Sequence, residues 1–169
     1  MDAFLHLPDK RMAAAIVGLQ LALRVAISAA ITLPIAKALH FEQPVYAFVA
    51  AVIVTDLSPK ISRHLGLIRI AATLVGAAIG MALSLAFGAG LYTVGVGVFA
   101  SMVMCQLLNV ADGAKVAGYI AGLILFDHLG DAWTYAMDRI LETLLGVFVA
   151  WGVSLVPKLV NYDRVDPAP

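Results

Sequence analysis

Between Met12 and Val156 the chain is a succession of apolar runs separated by short breaks, and this leaves almost no room for a water-soluble fold. A membrane-spanning helix needs about 20 mostly apolar residues. By that ruler a first helix lies within Met12–Leu39, a third covers Gly66–Phe87, a fourth Leu91–Val110 and a sixth Trp133–Val156. Two shorter runs, Val45–Leu57 and Val116–Phe126, supply the second and the fifth. The breaks fall at Pro44, Ser58-Pro59, Gly88-Ala89-Gly90, Asp112-Gly113 and Gly130-Asp131, all residues that favour turns. The expected fold is therefore all-α: a polytopic bundle of about six transmembrane helices in one domain spanning 1–169, with a polar tail over 159–169 and no soluble domain.

Composition agrees. Soluble domains are about half apolar and about a quarter charged, whereas this chain is 62% apolar and 13% charged, with a mean hydropathy of +0.95. A soluble domain of this length could not hide so much apolar surface. The formal net charge is zero, which gives no basic patch for nucleic acid. The single cysteine, Cys105, lies in an apolar run, so neither a disulfide framework nor a metal cluster is expected. The opening MDAFLHLPDKR has no apolar core before Lys10 and Arg11 and no small-residue cleavage site. The helices themselves are thus expected to direct insertion.

Positive charge orients such a bundle, because cytoplasmic loops carry the excess of Lys and Arg. With six crossings and the N-terminus inside, the inner segments hold Lys10, Arg11, Lys60, Arg63, Arg69, Lys115, Lys158 and Arg164. The outer ones keep only Lys37 and Arg139, and Arg24 lies within the first helix. Both termini are expected to be cytoplasmic, in a cell (inner) membrane. The asymmetry also requires the two short segments to cross, since a re-entrant Val45–Leu57 would put PKISRHLGLIR outside.

An internal repeat divides the chain. Arg69-Ile-Ala-Ala-Thr73-Leu-Val-Gly76 matches Arg139-Ile-Leu-Glu-Thr143-Leu-Leu-Gly146, and Ser84-Leu85 matches Ser154-Leu155. Upstream, VAAVIVTD ending at Asp56 is similar to IAGLILFD ending at Asp127. Each half reads as a helix, a short helix ending in Asp, and a helix opening R-I-x-x-T-L-x-G. Three helices per half is an odd number, so the halves, about 12–88 and about 89–158, enter the membrane from opposite sides. Many secondary transporters use this inverted arrangement. Apolar helices share a small alphabet, and chance similarity is the competing account.

These residues carry a resemblance. LALRVAISAA with Arg24, the aromatic-containing short helix PVYAFVAAVIVTD, and RIAATLVGAAIG resemble the aromatic acid exporter and fusaric acid resistance superfamily over nearly the whole chain. That superfamily is similar in turn to plant aluminium-activated malate channels, which are six-helix dimers. The resemblance implies transport of carboxylate anions such as aromatic or hydroxylated acids, with no cofactor and with proton coupling as one option. Two departures stand out: Ala72 where the family often has Gly, and TDLSPK where it often has a Gln-Pro-type loop.

Charges inside lipid are costly, about 2.5–3.5 kcal/mol at the helix centre even on the lenient insertion scale, so those present pair, face the interior or mark a pathway. Arg24 reads either as a fixed positive charge for an anion or as a side chain that snorkels to the inner interface. Arg69 and Arg139 occupy equivalent places, one at each mouth. They either attract anions or pair across a loop with Asp56 and Asp127. Glu142 lies one turn beyond Arg139, with Ala72 at the matching place in the first half. It is a candidate for proton coupling or for a simple ion pair.

The four histidines, His6, His40, His64 and His128, lie at segment ends without metal-ligand spacing. Tyr46, Phe48, Tyr119 and Phe126 decorate the short helices, for stacking on aromatic cargo or for plain packing. Gly76, Gly80, Gly118, Gly122 and Gly146 allow backbones to approach within the bundle or across a homodimer. The leading expectation is an organic-anion exporter or permease in the lipid bilayer. A passive organic-anion channel and a non-transporting scaffold or accessory subunit stand beside it. No Ser/His/Asp arrangement, phosphate loop or His-rich metal motif points to an enzyme.

Overall fold

A computed structural model describes residues 7–127 and 132–156. They form six α-helices: α1 (Leu7–Ala38), α2 (Val45–Val54), α3 (Pro59–Phe87), α4 (Leu91–Leu107), α5 (Ala114–Asp127) and α6 (Ala132–Ser154), with a 3-10 turn at Ala111–Gly113 leading into α5. The tail over 159–169, the Gly130-Asp131 turn, His6, His128, Lys158 and Arg164 lie outside the described residues, as do the side chains of Lys10, Arg11 and Asp127.

Helix ends differ from the apolar runs for local reasons. α3 begins at Pro59, upstream of the Gly66 start expected from hydropathy, because proline suits the first helical position. The Asp56 carboxylate accepts the Ser58 N–H at 2.8 Å and so shapes the turn that leads into it. α2 stops at Val54, where Thr55 turns extended. α1 and α4 end alike. His40 and Asn109 both take φ of 57°, the left-handed conformation. Behind them Phe41 N–H reaches Ala36 O at 3.2 Å and Val110 N–H reaches Cys105 O at 2.9 Å, the Schellman pattern in both cases.

α3 and α6 form the centre and run antiparallel. The Trp151 indole donates to Ser62 O at 3.1 Å, and Ser154 bonds Ser62 Oγ at 3.0 Å. α5 packs mainly on α3 and α4, while α2 packs mainly on α6 and α1. Small residues make these approaches possible. A Cβ on Gly76 would run into the Ala117 backbone of α5, and one on Gly146 would run into Ala47 and Ala50 of α2. Gly80 faces Ala121, and Gly118 and Gly122 face Met102 and Val98 of α4.

The distribution of size is the reverse of a soluble protein's. Ala36, Ala47, Ala50, Ala51, Ala72, Ala117, Ala121 and Ala150 make up much of the interior, with Ser28, Thr32, Ser62 and Ser101 buried among them beside Val54, Ile120, Ile124, Leu125 and Val147. Leu19, Leu23, Ile27, Ile31 and Ile35 form an exposed stripe along α1. Water would drive that stripe inward; lipid tails accept it, and close packing of small residues then holds the helices together. The segment Ala14–Ala38 of α1 and the whole of α3 are long and apolar enough to cross a membrane, and α2 and α4 are shorter apolar helices.

Candidate functional site

The polar interior is organised around the crossing of α3 and α6. Thr73 and Thr143 meet there, Oγ1 to Oγ1, at 3.3 Å. Thr73 gives its one proton to Arg69 O at 2.9 Å, so Thr143 is the donor between them. One turn before each threonine stands a buried arginine: Arg69 is 3% exposed and Arg139 2%. Four residues of helix rise about 6 Å, so on antiparallel helices the two guanidiniums bracket the threonine pair from opposite sides.

Their surroundings differ. Arg139 lies against two tyrosine rings, its Cζ 3.7 Å from the Tyr46 centroid and 4.6 Å from that of Tyr135. Its Nη2 is 2.8 Å from a carboxylate oxygen of the fully buried Glu142. The charge of Arg139 is therefore balanced. Arg69 donates to the Tyr119 hydroxyl and lies 5.4 Å from that ring's centroid. Among the described residues it has no acidic partner; buried nitrogens without a hydrogen-bond partner occur on both arginines, Nε of Arg69 and Nε, Nη1 and Nη2 of Arg139.

Two sequence expectations change here. The arginines are not at the mouths of their helices, because both helices begin well before them and carry them into the interior. Nor does Arg69 pair with Asp56, whose carboxylate is engaged by the Ser58 N–H. The matching pair of Arg139 with Asp127 falls outside the described side chains; the ion pair observed is with Glu142.

Arg24 has carbonyl partners. It is 8% exposed, and donates to Leu57 O at 3.2 Å and to Val156 O at 2.5 Å. These carbonyls lie just past the C-terminal ends of α2 and α6, where a cation is favoured by the dipole. Arg24 thus ties α1 to two helix ends.

A cleft of about 250 Å³ lies between α3 and the α4–α5 junction, lined by His64, Leu67, Ile68, Ala71, Asn109 and Asp112 among others. It uses a face of α3 that does not carry Arg69, and neither interior arginine lines it.

A family model described as aromatic acid exporter family member 1 matches residues 13–156. The chain belongs to the aromatic acid exporter family. No curated protein and no solved structure matches it. Membership in this family makes the chain a membrane protein, supports a role in transport, and points to transport rather than catalysis.

For an aromatic acid exporter the interior has suitable chemistry. Guanidiniums bind carboxylates in a planar, bidentate way, and tyrosine rings offer apolar faces with a polar tip. Sequence reasoning had singled out Arg69, Arg139, Tyr46, Tyr119 and Glu142, and the fold brings them to α2, α3, α5 and α6 at the centre. It missed Tyr135, whose signal was its place four residues before Arg139 on the same helical face.

Proposed function

We propose that this aromatic acid exporter moves organic carboxylate anions, aromatic acids above all, along a route that passes Arg69, Arg139, Tyr46 and Tyr119. One observation carries the reading. Arg24, Arg69 and Arg139 are buried against a single buried acid, Glu142, among the described residues. An uncompensated cation in an apolar interior is costly, and a passing carboxylate relieves that cost. Arg24, held by carbonyls, positions the helix ends rather than the cargo in this reading.

The same reading has two inverted halves, about 12–88 and about 89–158. The like-ended α1 and α4, the pairing of α3 with α5 and of α6 with α2, and the Thr73–Thr143 contact between equivalent residues all support it. The exposed aromatics Phe87, Tyr92 and Trp133 sit at the ends of α3, α4 and α6 away from Arg24. As an outer aromatic belt they fit termini in the cytoplasm and an inner-membrane location. A homodimer with a shared route fits the Tyr119 side chain that reaches the protomer surface.

The test is flux. Proteoliposomes holding the full chain should release trapped benzoate or hydroxybenzoate at least tenfold faster than protein-free vesicles, with malate slower. If none of the three acids moves faster than in the empty vesicles, the transport reading fails.

A further inference from the structure

The two interior arginines are equivalent in sequence but not in charge balance. At the position where α6 carries Glu142, α3 carries Ala72. Glu142 is fully buried and paired with Arg139 at 2.8 Å, so a carboxylate already occupies that guanidinium. Arg69 has a tyrosine hydroxyl in place of an acid among the described residues.

Access differs as well. The described side chains of α5 are buried or half-buried except Lys115, Tyr119 and Phe126. Lys115 and Tyr119 are one turn apart, and Phe126 lies two turns further along roughly the same face. Tyr119, 36% exposed, therefore connects a narrow outward stripe to the buried Arg69. A cation at one end and aromatic rings along the rest suit a ligand with one carboxylate and an aromatic body.

We propose that Arg69 and Tyr119 form the carboxylate-binding site, that it takes aromatic monocarboxylates approaching along the α5 stripe, and that Glu142 is a built-in carboxylate that keeps Arg139 from acting as a second site. This rests on the transport reading above and gives it a location and a charge selectivity. One unbalanced guanidinium binds one carboxylate. A second free guanidinium at Arg139, across the threonine pair, would suit a ligand with two.

The experiment compares benzoate with terephthalate, a rigid dicarboxylate, in proteoliposomes of the full chain. Wild type prefers benzoate. Arg69→Gln raises the half-saturating benzoate concentration at least tenfold, Arg69→Lys raises it less, and Tyr119→Phe raises it about threefold. Glu142→Gln, which leaves Arg139 without its anion, raises the terephthalate-to-benzoate flux ratio at least fivefold. The double variant Arg139→Gln/Glu142→Gln removes both charges of the pair and weakens benzoate less than Arg69→Gln does.

Reversal of that last order, or an unchanged terephthalate ratio in Glu142→Gln, overturns the assignment while leaving wild-type transport standing. Absence of wild-type flux overturns the transport reading itself. If Arg69→Gln does not insert, Tyr119→Phe, which removes no charge, still decides: an unchanged half-saturating benzoate concentration in it overturns the assignment.

Discussion

Thr73 and Thr143, seventy positions apart, touch through their hydroxyls at 3.3 Å where α3 crosses α6. They are the same position of the two R-I-x-x-T-L-x-G segments, so one hydrogen bond joins the two copies of the motif to each other. The crossing sets the spacing of Arg69 and Arg139, because each arginine stands one turn before its threonine. Strengthening or weakening this bond therefore acts on the interior charges as well as on stability.

A double-mutant cycle with Thr73→Val and Thr143→Val should return a coupling of about 0.6 kcal/mol, the average for hydrogen bonds between membrane helices. Both hydroxyls are buried, and Thr73 keeps its bond to Arg69 O when Thr143 is changed. Unfolding in mixed micelles measures it. Strict additivity of the two single changes would show that the contact contributes nothing.

Gly146→Ala should destabilise the bundle by about 1–3 kcal/mol, the usual range for overpacking, since the new Cβ meets Ala47 and Ala50 of α2. Gly152→Ala on the same helix meets nothing within 4 Å. It should stabilise by about 0.5–1 kcal/mol through helix propensity alone. The pair of substitutions separates packing from backbone entropy within α6, and equal effects of the two would refute the close approach.

Arg24→Ala should cost about 1.5–3 kcal/mol, the range for hydrogen bonds to a charged group. Amide exchange near Leu57 and Val156 should rise while that near the Thr73–Thr143 crossing stays slow. Arg24→Lys should recover part of the loss, because a single ammonium has the charge but not the planar fork that spans two carbonyls. Uniform exchange across the whole bundle would argue against a local tie.

Much of the fold was legible because lipid imposes simple demands. Each helix must satisfy its own backbone, so six apolar runs became six helices close to their expected places, although α2 and α5 are shorter than the apolar slab is thick. The errors were at polar helix ends. Pro59 to Leu65 is helical although it is not apolar, and hydropathy sees only the part that lies in lipid. That displacement moved Arg69 from an expected mouth to the interior.

The site was legible only in its parts. Arg69, Arg139 and Glu142 stand out in sequence because ionised groups in apolar runs are costly wherever they end up. Composition and the lengths of its apolar runs determined that this chain is a helical membrane protein, and its repeated motif paired Arg69 with Arg139. The tertiary structure decided what each arginine faces: Glu142, Tyr46 and Tyr135 for one, Tyr119 alone among the described residues for the other. The reason is physical. Cost in lipid depends on residue type and can be read along a chain. Compensation depends on distance between side chains from different helices, and only packing sets that distance.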